Sequence, residues 1–162
     1  MTLQQRVFPD YAAALRSAYE EEVSGESYFA TLAEARDGRA REAFTLMTEM
    51  ERVTARAVEP LLAAAGVQPS DRAMLLDEGR AAARALKDRS WRAHLLEMRD
   101  EYGAYVAEFE VVRAGAPDDL KHRVDLLIAH EVAIIDFARA ELAGEPDSLA
   151  PLHRYLDRAA GI

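Results

Sequence analysis

The chain has 162 residues, carries 20 Lys and Arg against 29 Asp and Glu, and contains no cysteine. Its length makes a single domain over residues 1–162 the default, and its 50% hydrophobic content argues against disorder. The lack of cysteine excludes disulfide scaffolds, thiolate zinc sites and iron–sulfur clusters. A net charge of -9 argues against a nucleic-acid partner. No uninterrupted apolar run is long enough to cross a membrane, so no membrane partner is expected. The N-terminal residues lack a signal-peptide pattern, and we therefore expect a cytoplasmic protein.

The distribution of residues along the chain predicts an all-α protein. Alanine and leucine are abundant and favour helices, and no segment alternates polar and apolar residues with period two. Helix starts are predicted at Asp10 and Ser90, which suit N-caps, and Asp147-Ser148 is predicted to cap a short terminal helix. The predicted helices lie between Asp10 and Asp37, then over 40–65, 71–86, 90–113, 119–143 and 147–160.

The connections between the four long helices are short, long and short. Two tight turns predict two antiparallel hairpins, one on either side of a long connection. That connection holds about 24 residues, enough for a helical crossover along the full length of a bundle. One long crossover between two hairpins is one of the known connectivities of four-helix bundles.

Glutamates interrupt the apolar faces of these helices. With 3.6 residues per turn, Glu51 and Glu131 each fall in the middle of an apolar stripe, and the two stripes superpose at an offset of 80 residues. Glu22 and Glu26 both project from the apolar face of the first helix. Glu101 falls at the edge of the stripe in the 90–113 helix. The distances from each turn predict that acids from all four helices can meet in one layer.

Several carboxylates in one apolar layer need compensation. An ionised carboxylate in a core is costly unless it is paired or bound to metal, and neighbouring carboxylates raise one another's pKa. The helical pattern places no arginine or lysine on these apolar faces. Divalent cations would remove the conflict, so the pattern predicts a carboxylate-rich metal site.

Three short motifs carry a resemblance to a known family. They are Ser-Gly-Glu-Ser-Tyr-Phe at 24–29, Met-Glu-Arg-Val-Thr at 50–54 and His-Glu-Val-Ala-Ile at 130–134. Together they resemble the ferritin-like di-metal carboxylate superfamily, especially its rubrerythrin-like members. The resemblance implies a ferritin-like antiparallel four-helix bundle with its core over 10–143, a long helical crossover and a C-terminal lid helix over 147–160. It also implies an oxidoreductase-like protein with iron or manganese as cofactor.

The resemblance assigns the ligands only in part. It implies Glu22 or Glu26 and Glu101 as terminal ligands, and Glu51 and Glu131 as bridging ones. The family's two histidines are missing, because Thr54 and Ile134 occupy their places. His130 lies about 100° from Glu131 around the helix, so it is expected either to approach the site from the side or to pack as a core residue. The full set of candidate metal ligands is Glu22, Glu26, Glu51, Glu101, His130 and Glu131.

A different class of function stays open beside the metal site. In it the chain is a metal-free, degenerate bundle that acts as a small-molecule-binding or interaction module, and Thr54 and Ile134 mark the lost ligands. Metal ions are the expected partners in the first case, and a homodimer formed through the terminal helix is the alternative to the lid. The sequence identifies no catalytic residue.

Overall fold

The computed structural model describes residues 4–162, which are all-α as predicted and contain no strand. None of the helices in this range is long and apolar enough to cross a membrane. The chain order is α1 (Tyr11–Glu34), α2 (Gly38–Ala65), α3 (Arg72–Ala85), α4 (Trp91–Glu101), α5 (Gly103–Gly115), a 3-10 turn (Asp118–Leu120), α6 (Lys121–Leu142) and α7 (Ala150–Ala159).

Two of the three predicted N-caps are confirmed. Asp10 accepts a hydrogen bond from a first-turn backbone N–H of α1 over 2.8 Å, and Ser90 does the same for α4 over 3.1 Å. The predicted cap at Asp147-Ser148 is wrong, because α7 begins later and has no side-chain cap. Ser148 is buried and donates its hydroxyl to Glu141 at the end of α6 instead.

The apolar core divides into two clusters at opposite ends of the molecule, and these fix the direction of each helix. The first cluster surrounds Phe44 and Phe137, and the second surrounds Leu15 and Phe109. α1 runs from the second cluster to the first, and α2 runs from the first cluster to the second. α4 and α5 together run in the same direction as α2, and α6 runs in the same direction as α1. The residues that mark these directions are Leu15 and Phe29, Phe44 and Val58, Met98 and Phe109, Val124 and Phe137.

α3 connects α2 to α4 and packs along α1. Leu75 packs in the second cluster and Ala83 in the first, so α3 crosses from one end to the other. Gly79 allows the close approach, because a Cβ there would lie 2.0 Å from the carbonyl oxygen of Ser24. The Ser27 hydroxyl of α1 also donates a hydrogen bond to a backbone carbonyl oxygen of α3 over 2.8 Å, which joins the two helices.

The predicted continuous helix over 90–113 is wrong, because it breaks into α4 and α5. Two backbone N–H groups, those of Tyr105 and Val106, donate to the Tyr102 carbonyl over 3.1 and 3.4 Å at the junction. Gly103 follows directly, and glycine inside a helix costs about 1 kcal/mol relative to alanine. The break lies beside the candidate site described below.

α7 packs its apolar side against α2 and α6 of the same chain. Leu152 and Tyr155 are buried in the first cluster. The apolar stripe of this helix therefore packs within the chain.

Candidate functional site

Four ionisable side chains lie where the two apolar clusters meet. Glu22 comes from α1, Glu51 from α2, and His130 and Glu131 from α6, and each is at most 5% exposed. On all three helices the residues before and after this level belong to different clusters. The polar layer therefore crosses the middle of the core, which is where a mid-stripe position on each helix should bring it.

His130 lies at the centre of this layer. Its Nε2 donates to Oε1 of Glu51 over 2.8 Å. Its Nδ1 lies 3.7 Å from Oε2 of Glu22 and 3.8 Å from Oε1 of Glu131. Single ligand atoms of Glu22, Glu51 and His130 lie within 4.8 Å of one another, close enough to share one metal ion.

Three polar atoms of the layer lack hydrogen-bond partners within the described chain. They are Oε2 of Glu22, Nδ1 of His130 and Oε2 of Glu131. Leaving a buried polar atom unsatisfied costs about 1–3 kcal/mol, and more when the group is charged. Three such atoms lie at this one level of the core.

Burial and mutual repulsion shift the protonation of the layer. Burial, followed by the charges of Glu51 and Glu131, raises the pKa of Glu22 well above its ordinary value. Burial also raises the pKa of Glu131 to about 8. For His130, burial acts downward, but the carboxylates of Glu51 and Glu131 outweigh it and raise its pKa to about 9. At neutral pH the layer is therefore rich in protons, which a bound cation would displace.

Gly25 makes room for the Glu51 carboxylate. A Cβ at this position of α1 would lie 2.6 Å from Oε2 of Glu51, closer than real contacts allow. The glycine of the Ser-Gly-Glu motif thus leaves the space that this carboxylate occupies.

Tyr155 of α7 closes the layer on the side of Thr54. The two hydroxyls form a short hydrogen bond, and Thr54 also donates to a backbone carbonyl of its own helix. The Tyr155 ring centroid lies 5.9 Å from that of His130. Thr54 and Ile134, the two positions compared with the family's histidines, hold no ligand group at the layer other than the Thr54 hydroxyl. Ile134 is fully buried.

A cavity of about 380 Å³ opens from the layer between α1, α3 and the junction of α4 and α5. It lies on the side of the layer that the Tyr102–Gly103 break borders. The residues that line it are Glu21, Glu22, Ser24, Gly25, Tyr28, Phe29, Glu51, Glu78, Gly79, Ala82, Glu97, Tyr102, Tyr105 and Glu131.

Arg6 pairs with Glu21, which lines this cavity, and with Glu108, which does not. It comes from the segment before α1, forms an ion pair with Glu21, and binds Glu108 of α5 through Nη2 at 2.6 Å. Glu108 is 4% exposed. Burial is the main cause that raises the pKa of Glu21 to about 7, and Arg6 opposes it.

Glu26 lies outside the layer, although the sequence offered it as an alternative to Glu22. It pairs with Arg52 of α2 at 3.0 Å and with Arg72 of α3 at 2.6 Å. The expectation that no arginine faces these acids is therefore wrong for Glu26. Arg72 belongs to the crossover helix, whereas Arg52 lies on α2 itself.

Glu101 also lies apart from the layer. It is the last residue of α4 and half-buried, and it is not among the residues that line the cavity. Its charge acts on Arg89, whose pKa is raised chiefly by its hydrogen bond with Glu97. Of the six predicted ligands, the structure brings together Glu22, Glu51, His130 and Glu131.

Two contributors to the site were not identified from the helical pattern. Tyr155 belongs to the separate short helix α7, and Glu21 lies on α1 next to Glu22. Comparisons of the chain with family models, with curated proteins and with solved structures found no match.

Proposed function

We propose that this protein binds a divalent metal ion, manganese or iron, between Glu22, Glu51 and His130, and that the adjoining cavity admits a small molecule to it. The observation that carries the proposal is the convergence of these three buried groups with unpartnered atoms on Glu22 and His130. Carboxylate oxygens with one imidazole nitrogen form a donor set that suits manganese and iron.

The proposal includes membership of the ferritin-like superfamily and its antiparallel four-helix bundle. Two features support it: the crossover α3 between two helical pairs, and the glutamates at one level on α1, α2 and α6. Glu101 and Glu26 have no part in the proposed site. We therefore propose one ion rather than two, held by fewer ligands than the superfamily pattern has.

Two features of the chain would shape a metal ion's surroundings. Gly25 leaves space for the Glu51 carboxylate to turn toward the ion. The second buried acid, Glu131, would stay beside the ion with a free oxygen. Manganese or iron in such a site supplies redox chemistry, so oxidoreductase-like activity on a molecule in the cavity is the reaction class we propose.

The test is elemental mass spectrometry of the protein after incubation with Mn²⁺ or Fe²⁺ and removal of loose metal. We expect about one equivalent in the native chain and less than about a tenth in Glu51→Gln and His130→Gln, because each removes a ligand. Glu59→Gln is the matched control, since Glu59 lies on the same helix as Glu51 but is exposed. Equal metal content in all of these proteins would contradict the proposal.

A second candidate function rests on the Thr54–Tyr155 contact. In it the chain is a metal-free bundle that binds a small molecule or a protein partner, and the tyrosine fills the space of a lost ligand. The melting temperature separates the two candidates, because a ligand that binds the folded state must raise it. A rise of several degrees with Mn²⁺ supports the metal site, whereas no response to manganese, iron or zinc supports the metal-free module.

A further inference from the structure

The cavity beside the polar layer has the size and the lining of a small-molecule site. Its volume of about 380 Å³ lies within the range of ligand pockets in proteins. Six of the residues that line it are glutamates and four are aromatic, and none of the lining residues within the described chain is lysine, arginine or histidine. Such a lining repels anions and favours a cation with an apolar body.

Glu131 provides a buried carboxyl group that the three-residue metal group does not use. It is 5% exposed, it lines the cavity, and its Oε2 has no hydrogen-bond partner within the described chain. Glu21 lines the same cavity, and its Oε2 also lacks a partner there, although its other oxygen pairs with Arg6. Two acids that border the cavity therefore each have a buried oxygen without a partner.

Tyrosine rings form another part of the lining. Tyr102 and Tyr105 contact each other edge to face with ring centroids 5.5 Å apart. Both rings line the cavity together with Glu131. Tyrosine faces attract cations by about 0.5–2 kcal/mol, depending on how far the cation is desolvated.

We propose that the cavity binds a small organic amine in its ammonium form, with the charged nitrogen at Glu131 and Glu21 and the apolar body against Tyr102 and Tyr105. An ammonium supplies three donors to carboxylate oxygens that have none. A neutral alcohol of the same shape supplies one donor and no charge. A carboxylate is repelled by every acid in the lining.

Benzylamine, benzyl alcohol and benzoate are suitable probes because they differ mainly in the polar group. Their binding is measured by ligand-observed NMR titration in EDTA at a single fixed pH. We expect benzylamine to bind at least about tenfold more tightly than benzyl alcohol, and benzoate not to bind. Because EDTA removes metal, the result does not depend on the proposed metal site. If manganese failed to bind, the proposal of an amine site would be unaffected.

Two variants and one control locate the ammonium. Glu131→Gln should weaken benzylamine at least about fivefold and leave benzyl alcohol within about twofold, since only the charged pair is lost. Tyr102→Leu should weaken both probes, because it removes a wall. Glu110→Gln, an exposed acid on α5 outside the cavity, should change neither. Equal affinity for amine and alcohol, or an unaltered benzylamine affinity in a folded Glu131→Gln protein, would overturn the proposal.

Discussion

His130 on α6 donates from Nε2 to Oε1 of Glu51 on α2 over 2.8 Å, and this pair joins two helices at the level where the two apolar clusters meet. The His130 side chain is 1% exposed and that of Glu51 is 6% exposed, so water screens the pair little. The pair therefore contributes to stability when no metal is bound and competes with metal binding.

Removing the imidazole should destabilise the metal-free protein. We expect His130→Leu to lower the free energy of unfolding by about 3 kcal/mol in EDTA, because it leaves Glu51 buried without its cation. Urea denaturation followed by circular dichroism measures this. His153→Leu, which alters an exposed histidine, is the control and should have little effect. A loss below about 1 kcal/mol would show that Glu51 does not depend on His130.

The stability of the metal-free protein should fall as pH rises from about 5 to about 9. The pKa of Glu131 rises from 4.5 to about 8 on folding, and that of His130 from 6.5 to about 9. Between each pair of values the folded state holds more protons than the unfolded state, so raising the pH favours unfolding. The expected loss is on the order of 3 kcal/mol, measured by urea titrations across this range.

Glu131→Gln should remove part of that pH dependence. The amide cannot ionise, so we expect the variant to be more stable than the native protein above pH 7 in metal-free buffer. The slope that remains between about pH 7 and pH 9 reports His130 together with the other buried acids whose pKa is raised, Glu22 and Glu21. Equal or lower stability of the variant above neutral pH would contradict the presence of a buried acid that resists ionisation.

Alanine at Gly25 should weaken metal binding more than it weakens the fold. The added Cβ would meet Oε2 of Glu51 at 2.6 Å, and this end of a flexible side chain can move aside only by leaving its position in the layer. We expect the Kd for Mn²⁺ to rise at least about tenfold. Gly103→Ala has open space around its Cβ and serves as the control, with unchanged affinity.

Arg6 should stabilise the protein by compensating Glu108. We expect Arg6→Met to cost about 1 kcal/mol, at the low end for a buried group left unpaired, because the arginine side chain is 45% exposed and water screens part of the interaction. Thermal denaturation measures the loss. Arg99→Met removes an exposed pair with Asp100 and should leave the melting temperature unchanged. Equal melting temperatures of the two variants would contradict this role of Arg6.

Helical periodicity predicted the helices and three of the four residues in the layer. Glu22, Glu51 and Glu131 could be identified because each interrupts the middle of an apolar stripe, where a charged residue needs a reason. His130 lies off the stripe of α6, and its place could not be read from one stripe. α6 packs against α2, α4, α5 and α7, so its flanks are buried as well.

Contributions from outside the periodic helices could not be predicted in this way. Tyr155 reaches the layer from a terminal helix whose packing position has no relation to the phase of α2 or α6. Arg6 lies in the non-helical segment before α1. Glu101 was expected near the layer from its distance to the turn, although it falls only at the edge of the apolar stripe, and the structure places it at the last residue of α4, before the break at Tyr102–Gly103.

Calorimetric titration of Mn²⁺ into the metal-free protein, repeated in two buffers of different ionisation enthalpy, tests the proposed metal site most directly. We expect about one ion per chain and the release of about one proton or more, because the ion must displace protons held by Glu22 and His130. Loss of both signals in Glu51→Gln, with the Glu59→Gln protein unchanged, would support the site. No heat of binding, or binding that releases no proton and persists in Glu51→Gln, would contradict it.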